Sequence, residues 1–165
     1  MRIFFAIWPP ADTARFLSRW ALLAQQQSGG RVTDEAKIHL TLAFLGEADP
    51  QRATAAARRV SANAHSLPVE EARYWRKNQI VWAGPLETPP PLAELFKRLE
   101  FELYKEDFIL ERRPFAAHVT LIRKARTAAL PPLPAIDWPV NEFVLVRSSL
   151  SSAGARYDVI ERFPL

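Results

Sequence analysis

The chain has 165 residues and a mass of 18.7 kDa, with 48% hydrophobic residues, 24% charged residues and no cysteine. That length suits one domain that buries a core without a metal or disulfide staple, and the missing thiols exclude a disulfide scaffold, a Cys nucleophile, zinc fingers and iron–sulfur clusters. The net charge is +4 and seventeen of the 22 cations are Arg, whose planar fork suits phosphate; no run approaches the ~18 apolar residues of a membrane span, so a cytoplasmic protein that meets no membrane is expected.

Residues 2–8, with Ile3, Phe4, Phe5 and Ile7, predict a strand that Pro9-Pro10 ends. The same apolar run is too short for a signal peptide. Residues 14–27 predict a helix with Phe16, Leu17, Trp20, Leu23 and Ala24 on one face, capped by Asp12 or Thr13. A second strand is expected over 37–45, closed by Gly46, then a helix over 49–64 and a weaker strand over 69–75. Residues 79–83 predict a short strand, and 92–104 an amphipathic helix carrying Leu92, Leu95, Phe96, Leu99 and Leu103. Strands over 118–123, 140–150 and 156–162 complete the pattern, with a proline-rich connector (Pro131, Pro132, Pro134, Pro139) before the second of them. Nothing reads as an interdomain linker, so residues 1–165 are taken as one domain with an internal duplication, its halves approximately 1–76 and 77–165.

The duplication rests on one regularity. Each half reads strand, helix, strand, and each second strand carries His-x-Thr-Leu: His39-Leu40-Thr41-Leu42 and His118-Val119-Thr120-Leu121. For two of only three histidines to open such a tetrad by chance has odds on the order of one in ten thousand. In a strand, residues i and i+2 share a face, so each tetrad presents an imidazole beside a hydroxyl while Leu40 or Val119 points into a core. Halves packed about a pseudo-twofold axis would set the tetrads across one cleft. Two imidazoles and two hydroxyls suit in-line displacement at phosphorus. A neutral His takes the nucleophile's proton, a protonated His gives one to the leaving oxygen, and the Thr hydroxyls donate to the non-bridging oxygens. Such a scheme calls for no metal and no cofactor. Burying a polar His-x-Thr face without a polar partner is costly, which favours a site over a copied packing motif. His65 reads as a surface or helix-terminal residue.

The tetrads do not stand alone. Arg2-Ile3-Phe4-Phe5-Ala6-Ile7, His39-Leu40-Thr41-Leu42-Ala43-Phe44-Leu45-Gly46, Arg113-Pro114-Phe115-Ala116-Ala117-His118-Val119-Thr120-Leu121-Ile122-Arg123 and the segment 145–157 with Ser148, Ser149, Gly154 and Tyr157 resemble the 2H phosphoesterase superfamily. Within it they resemble the bacterial 2′-5′ RNA ligase, or RNA 2′,3′-cyclic phosphodiesterase, branch. The resemblance covers nearly the whole chain. It implies an α+β fold of two pseudo-twofold-related lobes, with antiparallel sheets lining a central cleft and helices outside. It further implies hydrolysis of 2′,3′-cyclic phosphate ends to 2′-phosphomonoesters, with reversible ATP-independent 2′-5′ ligation. His39 is then the proton donor to the departing 3′ oxygen, His118 the base that activates water, and Thr41 and Thr120 the phosphate ligands. The implied partners are RNA 3′ ends or nucleotides bearing a 2′,3′-cyclic phosphate, met by a monomer. The chain has no Gly-x-x-x-x-Gly-Lys-[Ser/Thr] loop for ATP phosphates.

Phe5 and Phe44 are candidate base platforms on strands flanking the cleft, since a base stacked on an aromatic ring gains about 1–3 kcal/mol. Strand phenylalanines are also common core residues. Arg123 is a candidate phosphate ligand. Phe44 and Arg123 both have the opposite parity to their histidine, so each reaches the cleft only where the strand bends or the side chain turns back. Trp8, Trp20, Trp75, Trp82 and Trp138 read as core or lobe-packing residues. Two other functions fit the same scaffold: a non-catalytic nucleotide- or RNA-binding module, and a 2H enzyme acting on small cyclic nucleotides.

Overall fold

The computed structural model describes residues 1–111 and 113–165. The first half of the chain forms β1 (Arg2–Ile7), α1 (Ala11–Ser28), β2 (Arg31–Val32), a 3-10 turn (Glu35–Lys37), β3 (Leu40–Glu47) and α2 (Pro50–Arg58). β4 (His65–Val69), β5 (Glu71–Trp75), β6 (Ile80–Gly84) and α3 (Pro90–Lys105) follow. The last strands are β7 (Val119–Arg123), β8 (Ile136–Val140), β9 (Glu142–Ser151) and β10 (Gly154–Pro164). Among the described residues no helix is long and apolar enough to cross a membrane.

Local chemistry explains most of the boundaries. α1 begins at Ala11, before the expected start, with Pro10 rather than Asp12 or Thr13 as its N-cap. Proline's fixed φ and missing N–H are tolerated there, and Asp12 lies in the first turn, where the helix dipole favours it. Leu17, Trp20, Ala21 and Ala24 are buried, but Leu23 is half exposed. α2 starts where Asp49 accepts a hydrogen bond from the Gln51 N–H at 2.9 Å, with Pro50 in the first turn. It stops at Arg58, well short of residue 64, because Val60, Ser61 and Asn63 are weak helix formers. His65 therefore ends no helix. It opens β4, opposite Val140, with Nδ1 2.9 Å from the Asn63 carbonyl. Its partner strand, β8, arises inside the segment read as a proline-rich connector. Pro68 and Pro139 fit because a two-stranded ribbon leaves each strand a free edge.

All pairings are antiparallel, and one sheet runs β10-β9-β1-β3-β7-β6-β5, with β2 paired to β7; β4 and β8 form a separate ribbon. The architecture is α+β, and the two expected sheets meet edge to edge at β3 and β7 through the single ladder pair Leu40–Val119. Each wing draws on both halves of the sequence. β9 and β10 extend the wing of β1 and β3, while β5 extends the wing of β6 and β7. One face of the sheet is sealed by the helices and the ribbon, with Ile3, Phe5, Ile7, Leu40, Val119 and Leu121 meeting Leu17, Ala53, Leu67, Leu95 and Trp138 in one core. The opposite face carries the cleft. On α3, Leu92, Leu95, Leu99 and Leu103 are all fully buried, so the helical stripe read from the sequence is the seam against the sheet.

Leu99→Ala should lower the unfolding free energy by about 2–5 kcal/mol, through lost transfer energy and the cavity left behind. The check is a urea titration, in which the midpoint falls while the slope is kept. A loss below about 1 kcal/mol would show that this seam is not close-packed.

Candidate active site

Leu40 and Val119 each follow a histidine, and pairing them antiparallel places equivalent residues of the two tetrads about a pseudo-dyad. Continuing that register sets His39 opposite Thr120 and Thr41 opposite His118. Because Leu40 and Val119 are fully buried, the alternation turns all four polar residues to the other face, where they are half-buried. They line one cleft of about 1030 Å³. Both histidines stand one residue before their strand, so each ring lies at the strand's mouth rather than within its ladder.

The two strands share a second device. Between Phe5–Ala43 and Ala6–Thr41 the register passes over Leu42. Between Val81–Ile122 and Trp82–Thr120 it passes over Leu121. Each tetrad's Leu is thus the extra residue of a β-bulge, and two successive residues face inward in each strand: Leu42 with Ala43, Leu121 with Ile122, all buried. The bulge reverses the parity downstream. Phe44 and Arg123, equivalent positions in the repeat, return to the cleft and line it. Phe44 is 51% exposed and lies under the Arg2 guanidinium, 4.9 Å from its ring centre.

Both catalytic candidates are anchored alike. His39 Nδ1 is 2.7 Å from the Lys37 carbonyl, and His118 Nδ1 is 2.8 Å from the Ala116 carbonyl. A carbonyl only accepts, so Nδ1 carries the proton and Nε2 holds the lone pair in the neutral ring. Among the described residues no side chain or backbone group bonds to either Nε2, nor to the Thr41 or Thr120 hydroxyl. The surroundings differ. His39 stacks on Trp8 (centroids 4.6 Å apart, planes at 12°), with Phe4 at 5.2 Å and Tyr157 edge-on at 5.4 Å. That burial holds its pKa below the ordinary imidazole value; the hydrogen bond to Lys37 opposes the shift, and the charges of Arg123 and His118 add to it. His118 instead meets Trp75 at 4.8 Å and Trp82 at 6.3 Å, both edge-on.

Three of the tryptophans read as packing residues therefore surround the histidines, while Trp138 is core and Trp20 holds the Pro132 carbonyl at 3.1 Å. Phe5 is a correction in the other direction. It is fully buried against Phe143 and Phe163, at 5.9 and 6.0 Å, and its neighbour Phe4 takes the cleft side. In an all-apolar strand no polarity marks which parity faces the site, so Phe4 was not separable from Phe5. Ser148 lines the cleft from β9, on the His39 wing rather than beside the second tetrad. Arg2, Arg31 and Arg113 join Arg123 at the rim. Among the described residues no carboxylate lies within 4.0 Å of Arg31 or Arg123, whereas Arg113 pairs with Glu111 at 3.4 Å. Two glycines permit the close packing around the second tetrad. A Cβ on Gly84 would stand 2.7 Å from the Ala117 carbonyl oxygen, next to His118, and one on Gly30 (φ +89°) 2.5 Å from that of Arg123. The cleft can therefore hold an anionic group between two imidazoles able to exchange protons at Nε2, with hydroxyls and guanidiniums for its oxygens.

The chain as a whole is similar to known proteins. Residues 7–82 match the family model described as LigT like Phosphoesterase. The RNA 2′,3′-cyclic phosphodiesterase of Escherichia coli (strain K12) is 32% identical over 169 residues, covering 99% of this chain and 96% of that one. The Thermus thermophilus protein of the same name is also 32% identical, over 100% of this chain and 90% of its own. Among solved structures, E. coli LigT complexed with 3′-AMP superposes with a TM-score of 0.89 at 30% identity, covering 99% of this chain and 97% of that one. TT0787 of T. thermophilus gives 0.85 at 26% identity, covering 100% and 98%. With such identity along nearly its whole length, matched by the fold and by the family model, the chain belongs to the LigT-like phosphoesterases.

Proposed function

We propose that this phosphoesterase hydrolyses RNA 2′,3′-cyclic phosphate ends to 2′-phosphomonoesters, with His39 and His118 as its acid–base pair. The observation that carries the reading is the matched anchoring of two imidazoles at Nδ1, which among the described residues leaves both Nε2 atoms free in one cleft beside two unengaged hydroxyls. The names of the E. coli and T. thermophilus relatives point to the same reaction. In the forward step His118 Nε2 takes a proton from water as its oxygen bonds to phosphorus. The bond from phosphorus to the 3′ oxygen breaks, and His39 Nε2–H supplies that oxygen's proton. Thr41, Thr120 and Arg123 hold the non-bridging oxygens as charge gathers on them, and Phe44 offers a face to a base. The same pair run backwards, with a 5′-hydroxyl in place of water, joins a 2′-5′ linkage without ATP. The protein acts in this reading as a cytoplasmic monomer on RNA 3′ ends.

Burial of His39 disfavours the imidazolium that a donor needs. A phosphodiester anion held against the ring supplies the missing counter-charge, so substrate itself prepares the acid.

Incubated with a short RNA ending in a 2′,3′-cyclic phosphate, with EDTA and without ATP, the protein should yield the 2′-phosphate isomer. His39→Ala and His118→Ala should each lower the rate about 10²–10⁴-fold, and Thr41→Ala or Thr120→Ala by less. A folded protein that binds this RNA and leaves it intact would sink the reaction and favour a binding module. In an imidazole NMR titration of the free protein, the His39 midpoint should lie below the usual value of about 6.5. Since protonation is what burial opposes, adding a nucleoside 2′-phosphate should move that midpoint up. A midpoint indifferent to the ligand would argue that the phosphate is not held at His39.

A further inference from the structure

Beyond the cleft, the His39 wing carries a second groove of about 830 Å³, floored by Val144 and Val159. Lys37, Ala153, Ala155 and Tyr157 line both spaces, so the groove is continuous with the cleft. Trp8 lines the groove and not the cleft. One face of its indole is covered by the His39 ring, Tyr157 meets it edge-on at 6.0 Å, and its Nε1–H is held by the Ala36 carbonyl at 3.1 Å. Trp8 is thus a fixed partition, with imidazole on one side and the groove on the other.

We infer that this groove is a nucleotide subsite, which takes the residue immediately 5′ to the one bearing the terminal phosphate and stacks its base on Trp8. The inference rests on the proposed function and names the part of the substrate it leaves unplaced. With the 3′ oxygen facing His39, the terminal ribose lies on the His39 side of phosphorus, the side on which the groove opens into the cleft. A 5′-hydroxyl or water approaches in line from the opposite side, by His118, so the groove is on the wrong side for an acceptor strand. The lining suits the assigned occupant. Aromatic and aliphatic walls fit a base and ribose, and Lys37, Arg156 and Arg162 against Glu142 leave a positive balance for the internucleotide phosphate. Arg162 pairs with Glu142 at 2.6 Å and Arg156 with Asp158 at 3.3 Å. Lys37, at the boundary of the two spaces, has no carboxylate within 4.0 Å among the described residues.

The test is calorimetric titration of the whole protein with adenosine 2′-phosphate and with the diadenosine dinucleotide ending in the same 2′-phosphate. The dinucleotide should bind roughly five- to a hundredfold more tightly, the range expected of one added base stack. Val159→Glu, on the exposed floor of the groove, and Arg162→Glu, at its rim, should each bring the ratio of the two affinities toward one. The mononucleotide affinity serves in every variant as the measure of an intact cleft. A ratio near one in the native protein, a ratio unchanged in both variants, or no mononucleotide binding would each overturn the subsite. Failure of the phosphodiesterase reading is seen separately, as cyclic ends that stay uncleaved while the affinity ratio persists.

Discussion

The pairing of Leu40 with Val119 joins the two wings of the sheet, and the rest of the site depends on it. An antiparallel pair relates its two strands by a local twofold, so two His-x-Thr-Leu tetrads brought together at this point must place each imidazole beside the other strand's hydroxyl. Burial of the pair then decides which way the polar residues point. If either strand slipped by one residue, its histidine would turn into the apolar layer of Leu95, Leu67 and Trp138. The cost of burying unpaired imidazoles therefore selects the register that builds the cleft.

Symmetry supplies two equal histidines, and the surroundings make them unequal. Both rings are fixed at Nδ1 by the carbonyl two residues back, which settles the tautomer without help from a carboxylate. Above that common base the aromatic shells diverge. Trp8 lies flat on His39, while Trp75 and Trp82 stand edge-on to His118. A flat ring excludes water from a face of the imidazole and disfavours its cation. The two aromatic shells draw on distant strands: Tyr157 arrives on β10, and Trp75 on β5.

Those added strands also account for the way the chain is interleaved. Each wing takes strands from both halves of the sequence, so neither half closes its own sheet, and the hairpin of β9 and β10 walls the cleft and the neighbouring groove together. The cleft and groove of the His39 wing are thus lined by residues from widely separated parts of the chain, held by one continuous hydrogen-bonded sheet.

Much of this was legible in the sequence because it is local or repeated. Period-two alternation placed Leu40 and Val119 inward and the His-x-Thr pairs outward, period 3.6 marked the leucine face of α3, and the duplicated tetrad marked the four polar residues that meet in one cleft. What tertiary structure alone decided is non-local. Parity counted along β3 and β7 put Phe44 and Arg123 on the wrong face, because a bulge appears only when a strand is laid against its partner. The apolar run Ile3–Ile7 could not say that Phe4 faces the cleft and Phe5 the core, since both faces of β1 are covered by apolar neighbours and alternation carries no contrast there. The tryptophans carried no signal of their place beside the histidines, for that depends on strands brought from elsewhere in the chain. Residue chemistry is written along the sequence, but the side of a sheet on which it is spent is set by pairing, burial and the one-residue excess of a bulge.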